Sequence, residues 1–230
     1  MQEWPGEHRI AIVVLAAGRG QRMGGHRPKL LMPWHDDRPL IWHTVHNALE
    51  LRPYRLVVVV RPDLPALAEA LRDLPVICVT NYCFEEGMGT SLAAGIQAVE
   101  GQGDVQAALV MLGDEPFVDP GIVGALMAAY IRSHMPITVP FYGDQPGPPT
   151  LFDRQMFPDL RRLRGDSGGR QLIARYPQLV CRVPLSEEQK PPDIDTLEDY
   201  LTVLNRTLPA PPTTGAGQGE NNHEGDEMMR

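Results

Sequence analysis

Cysteine is scarce in this chain: three in 230 residues, Cys78, Cys83 and Cys181, with no C-x-x-C pair. So sparse and odd a set, flanked by apolar residues, predicts reduced, buried thiols in a cytosolic protein rather than a disulfide framework. Long apolar runs are missing too. None approaches the ~20 residues that span a bilayer. The opening "MQEWPGEHR" has neither the basic stretch nor the apolar stretch of a signal peptide. These absences predict a soluble, cytoplasmic protein that does not engage membranes. A basic excess is also lacking, since 21 Lys and Arg face 29 Asp and Glu for a net charge of −8. That argues against a protein that coats nucleic acid. It leaves a small anionic ligand open, because local arginines can outweigh the global sign.

What is present suits one α/β domain. Hydrophobic residues make up 43%, and at this length a single core buries most of the apolar surface without a covalent staple. Continuous Val, Ile and Leu runs at 10–16, 56–60, 76–80, 107–112, 137–141 and 179–183 read as strands covered on both faces. Helix-length segments at 40–51, 64–74, 89–100, 119–133 and 196–206 separate or follow them. This alternation predicts a three-layer α/β/α, Rossmann-like fold with a mostly parallel sheet over residues 1–208. Ligands of such sheets sit outside the carboxyl ends of the strands. From Pro209 to Arg230 the chain turns to Pro, Gly, Asn and acids, a composition that predicts a disordered tail.

The informative stretch follows the first strand. "LAAGRGQRMGGHRPKLLMP", Leu15 to Pro33, holds four glycines and three arginines, and its lysine arrives only at Lys29. A dinucleotide fingerprint would need G-x-G-x-x-G and an acid closing the second strand. Here the spacing is Gly18-x-Gly20-x-x-x-Gly24, and "RLVVVV" ends in Arg61 and Pro62. A P-loop would need a lysine directly after its last glycine, but His26 follows Gly25. A triphosphate grip fits better. Gly18 and Gly20 let backbone N–H groups face phosphate oxygens, with Arg22 and Lys29 supplying a fork and a point charge.

This stretch resembles the L-A-A-G-x-G-x-R-M-G…K-x-L-L-P motif of the MobA-like nucleotidyltransferases, closest to the molybdenum cofactor cytidylyltransferases. Three later segments match the same family in order. "LGDEP" resembles L-G-D-Q-P, which implies a metal role for Asp114; Glu115 replaces the glutamine. "NYCFEEGMGTSLAAG" resembles the family's N…G-x-x-x-S-L-x-x-G segment, which implies that Asn81, Gly89 and Ser91 lie near base and ribose. "PPDIDTLEDYL" resembles D-I-D-T-P-E-D-L, which implies Asp195 as a second metal ligand. Capping of the last helix by Asp195 or Thr196, with Glu198 or Asp199 three residues on, is the other reading of that segment. The acceptor half departs from the family pattern. Gly147, Asp166 and Arg170 match, whereas Pro146 and Pro148 stand where arginine and histidine are usual.

The resemblance implies a Mg²⁺-dependent enzyme. The phosphate of an acceptor attacks the α-phosphorus of an NTP, and pyrophosphate leaves. Leu15, Ala16, Ala17, Gly18, Gly20, Arg22 and Lys29 would hold the nucleotide, with Arg22, Lys29 and Asp114 catalytic. CTP with molybdopterin as acceptor is the implied pair, and a molybdenum hydroxylase would receive the product. Another phosphorylated acceptor, such as a sugar or polyol phosphate, stays open. So do a non-catalytic nucleotide binder and a nicotinamide-dependent oxidoreductase. His43 and His46, three apart on one helix, lack a third ligand and read as packing or exposed residues. Arg161 to Arg164 read as a solvated helix face.

Overall fold

A computed structural model describes residues 8–18, 28–34, 36–101, 103–117, 119–192, 194 and 196–207, with 205–207 described by backbone alone. The expected tail, together with Gly20, Arg22 and Asp195, lies outside the described residues. Strands β1 (Ile10–Leu15), β2 (Arg55–Val60), β3 (Ile77–Thr80) and β4 (Ala107–Leu112) form a parallel block. Beyond β4 come β5 (Ile137–Tyr142), β6 (Gln145–Pro146), β7 (Thr150–Asp153) and β8 (Val180–Leu185). The sheet order is β3-β2-β1-β4-β7-β5-β6, and β8 pairs parallel with β5. β7 runs antiparallel to both β4 and β5, so β5 and β8 point the same way as β1. The sheet is mostly parallel and flanked by helices, the α/β architecture read from the sequence.

Side-chain alternation on β1 divides the core. Ile10, Ile12 and Val14 face one layer, and Ala11, Val13 and Leu15 face the other. All six are at least nine-tenths buried, as a central parallel strand requires. Helices α1 (Leu40–Glu50), α2 (Ala66–Glu69) and α4 (Pro120–Ser133) close the first layer. Helices α3 (Met88–Glu100), α5 (Phe157–Leu160) and α6 (Arg170–Arg175) close the second. The last helix, α7 (Leu197–Thr207), joins neither. Its Tyr200 and Val203 pack with Ile194 against Trp34 and Leu40, a small third cluster that ties the end of the fold to the segment after Lys29. Among the described residues no helix is long and apolar enough to cross a membrane.

Four expectations change. The helix read over 64–74 keeps α-geometry only at Ala66–Glu69. After it, Leu71, Arg72 and Leu74 donate to carbonyls three residues back, and these tighter turns precede Pro75. The segment 145–153 forms β6 and the antiparallel β7, which no apolar run announced. The cysteines are not buried: Cys78 and Cys83 are exposed and Cys181 half-buried. β3 is an edge strand whose residues alternate between half-buried and exposed, so Cys78 faces solvent. Finally, Arg161–Arg164 follow α5 as a turn rather than a helix face. Leu163 is buried there, and Arg161 and Arg164 pair with Glu100 and Glu86.

Candidate functional site

The parallel strands β1 to β4 end on one edge of the sheet, and the loops leaving them build the site. Ladder bonds continue past the strand ends: the Ala16 N–H donates to the Val59 carbonyl and the Gly113 N–H to the Leu15 carbonyl. Ala16 and Ala17 are buried, so Gly18 is the first exposed residue of the loop. A Cβ at Gly18 would meet nothing within 4 Å. From β1 the chain steps outward to β2 and β3 and then crosses back to β4 on the other side of β1, which makes this edge the switch point where α/β sheets bind ligands.

Lys29 and Asp114 meet here. Lys29 opens a short 3-10 turn, Lys29–Leu31, and its side chain is only 8% exposed. Its Nζ donates to Asp114 Oδ2 at 2.5 Å and to the Ile194 carbonyl at 2.5 Å. One buried ammonium therefore joins three separate motifs: the Gly-rich loop's lysine, the strand-end aspartate and the segment between Asp193 and Asp195. α1 holds the aspartate's loop from behind. Thr44 Oγ1 donates to the Gly113 carbonyl at 2.9 Å, and Asn47 Nδ2 to the Pro116 carbonyl at 2.6 Å. From the other side, Tyr200 Oη donates to the Pro33 carbonyl, and Trp34 contacts the Phe117 and Tyr200 rings edge-on.

Asp114 fits a hard divalent cation. It is a carboxylate at a strand's C-terminal end and remains 30% exposed. Among the described residues no cluster of three metal-ligating side chains occurs, and Asp195 lies outside them. The neighbouring Thr196 forms a reciprocal cap with Asp199, whose N–H donates to Thr196 Oγ1 at 3.1 Å while the Thr196 N–H donates to Asp199 Oδ2 at 2.8 Å. Thr196 is thus the capping residue, and the cap does not require Asp195.

Asn81 and the start of α3 make a second, tightly bonded loop. Asn81 is 4% exposed, and its amide donates to Thr90 Oγ1 and Ser91 Oγ at 2.9 and 3.0 Å. Its side-chain oxygen accepts from the Cys83 N–H. All three groups thus hold the 81–91 turn. Gly87 and Gly89 are glycines because another chain segment lies against them. A Cβ at Gly87, whose φ is +101°, would stand 2.4 Å from the Gly165 carbonyl carbon; one at Gly89 would stand 2.7 Å from the Arg164 nitrogen. The Gly89 N–H donates to the Gly165 carbonyl, and the Gly165 N–H to the Glu86 carbonyl. The structure therefore joins the loop matched to the base side with the loop matched to the acceptor side.

Beside that joint lies a cavity of about 170 Å³. Leu15, Met88, Leu92, Leu112, Phe152 and Ile173 supply apolar wall; Gly147, Asp166, Ser167 and Arg170 supply its polar part. Gly147, Asp166 and Arg170, distant in sequence, thus line one space, and Pro146 and Pro148 line it with them. The Pro148 carbonyl accepts from Tyr142 Oη at 2.9 Å. Burial pushes that phenol up to about 12, with Glu115 and Asp119 adding to the effect.

Sequence reasoning missed Thr44, Asn47, Ile194 and Tyr200. Three act through hydrogen bonds to main chain, which leave no motif; the polar pair Thr44 and Asn47 on one face of an apolar helix was the available signal. The two histidines are engaged away from the site. His43 Nε2 lies 2.8 Å from Asp36 Oδ1, and His46 stacks on Trp42. Desolvation would raise the Asp36 carboxyl, but the bond to His43 and the Arg38 backbone bond outweigh it and hold the pKa below the ordinary value.

The model of the MobA-like NTP transferase domain matches residues 12–180. Nicotine blue oxidoreductase of Paenarthrobacter nicotinovorans is 28% identical over 198 residues, 84% of this chain and 95% of its own. The bifunctional protein GlmU of Dinoroseobacter shibae is 35% identical over 140 residues, 60% of this chain but only 30% of that protein. Among solved structures, Rv0371c of Mycobacterium tuberculosis H37Rv superposes with a TM-score of 0.70 at 30% identity, covering 86% of this chain and 98% of that one. Its complex with manganese superposes at 0.65 with 27% identity over the same shares.

Proposed function

The chain belongs to the MobA-like NTP transferase family, and from that premise we propose that it transfers CMP from CTP to molybdopterin with release of pyrophosphate. The observation that carries the reading is the junction of Lys29, Asp114 and Ile194 at the carboxyl edge of β1 and β4. Gly18, Gly20 and Arg22 cradle the β- and γ-phosphates. Lys29 leaves Asp114 for the α-phosphate and stabilises the charge that develops there. A Mg²⁺ ion held by Asp114 and Asp195 would neutralise phosphate charge; that a structural relative was solved as a complex with manganese supports a divalent metal. A phosphate oxygen of the acceptor forms the new bond to the α-phosphorus, and the bond to the bridging oxygen breaks, its electron pair leaving with pyrophosphate. No side-chain nucleophile is needed, because positioning and electrostatics supply the catalysis.

The cavity supports an acceptor with an extended, partly apolar body, its polar groups meeting Asp166, Ser167 and Arg170. A small sugar phosphate would leave the walls formed by Leu92, Phe152 and Ile173 uncovered. The test is pyrophosphate release with Mg²⁺ and each of CTP, GTP, ATP and UTP, with and without molybdopterin. Release that needs CTP and molybdopterin together supports the reading; CTP turnover with a sugar phosphate alone refutes the acceptor assignment. A second reading, an oxidoreductase, is favoured by the relative so named that aligns over 95% of its length. In its nicotinamide-dependent form this reading requires dinucleotide binding, which a fluorescence titration with NADH and NADPH detects.

A further inference from the structure

Arg61 directly follows β2, a cation at the crevice edge that the reaction above does not use. Its side chain is only 13% exposed. Nε lies 3.3 Å from Asp63 Oδ1, yet among the described residues that nitrogen, shut off from solvent, makes no hydrogen bond. Asp63 is itself 55% exposed. The guanidinium carbon stands 5.9 Å from the centre of the Phe84 ring. A guanidinium offers five N–H donors in a rigid plane, and withdrawing it from water with so few partners is unfavourable. The arrangement is that of a donor fork completed by a ligand.

Its position says which part of the ligand. The Val59 carbonyl accepts from Ala16 and the Val60 carbonyl from Asn81, so Arg61 follows directly between the loops after β1 and β3. β2 and β4 flank β1 on opposite sides, which places them roughly 10 Å apart at two strand spacings. Lys29 and Asp114 mark the phosphate end beside β4, and the acceptor cavity lies on the β4–β7 side. The nucleoside of a bound nucleotide therefore runs the other way, across β1 toward β2.

We propose that Arg61 is a specificity-determining residue of this site, reading a base that presents two adjacent acceptors: O2 and N3 of cytosine, or O6 and N7 of guanine. The inference rests on the nucleotidyltransferase reading above. A planar fork satisfies two such acceptors at once. Uracil and adenine set a donor beside an acceptor on these edges and satisfy only one N–H.

The experiment is calorimetric binding of Mg²⁺ complexes of CTP, GTP, UTP and ATP to the full chain and to R61M and R61K, with a thermal melt of each. The wild type binds CTP or GTP at least about tenfold more tightly than UTP and ATP, and whichever of the two wins names the base. R61M loses about 10- to 100-fold for that nucleotide, the range of a charge-assisted hydrogen bond, and binds UTP and ATP as before. R61K keeps the charge without the fork, so it loses discrimination even where R61M melts too early to assay. Uniform weakening of all four nucleotides would make Arg61 a phosphate ligand and overturn the proposal, as would no change at all. A wild type that binds no NTP overturns the nucleotidyltransferase reading itself, a result distinct from either.

Discussion

Removing Asp114 exposes how the site stores its charge. Lys29 is 8% exposed and Asp114 30%, with Nζ and Oδ2 2.5 Å apart. In Asp114→Ala the ammonium stays buried with the Ile194 carbonyl as its remaining acceptor. Breaking a buried pair in this way costs about 3–5 kcal/mol, and the partial exposure of Asp114 puts the expectation near the lower end, about 3 kcal/mol. For a domain of this size that lowers Tm by roughly 6–12 °C. The opposite deletion, Lys29→Met, is milder, because the carboxylate left behind reaches water and the methionine fills the space of the lysine stem; about 1–2 kcal/mol is expected. The double variant K29M/D114A leaves no buried charge and should be more stable than D114A alone, with a coupling of at least about 1 kcal/mol between the sites. Urea denaturation of the four proteins measures the cycle, and pyrophosphate release should fall at least about 10³-fold in each variant. Additive losses, with the double variant the least stable, would refute the claim that Lys29 is held in place by Asp114.

Gly89→Ala drives a Cβ to 2.7 Å from the Arg164 main chain. We expect about 1–3 kcal/mol of destabilisation and a higher KM for the acceptor than for the NTP, read from melts and two-substrate kinetics. Alkaline pH tests Tyr142. Its folded pKa of about 12 exceeds the ordinary 10, so the folded state holds its proton longer. The stability this contributes is fully present below pH 10 and is lost as pH rises toward 12. Urea midpoints at pH 9 and pH 11.5 should fall less in Tyr142→Phe than in the wild type, and equal slopes would refute it.

Local pattern was enough for much of this protein. The apolar runs at 10–16, 56–60 and 107–112 had to be central strands, because continuous Val, Ile and Leu can be buried on both faces only under two helical layers. Lys29 and Asp114 stood out in the sequence as charged residues following a strand, and the structure brings them together; their role toward phosphate belongs to the proposal above. The 145–153 segment was not legible: its antiparallel strand is stabilised by partners on β4 and β5, and its short Thr150–Phe152 run follows a Pro- and Gly-rich stretch. Nor could the cysteines be placed, since exposure on β3 follows from its position at the sheet edge. Only the tertiary structure decided that one lysine would bridge residues 114 and 194, and that Gly87 and Gly89 would lie against residues 164–166. Only packing left Arg61 half-buried with so few partners among the described residues. Contacts of that kind depend on where the sheet brings loops together, and no spacing along the chain encodes a distance across it.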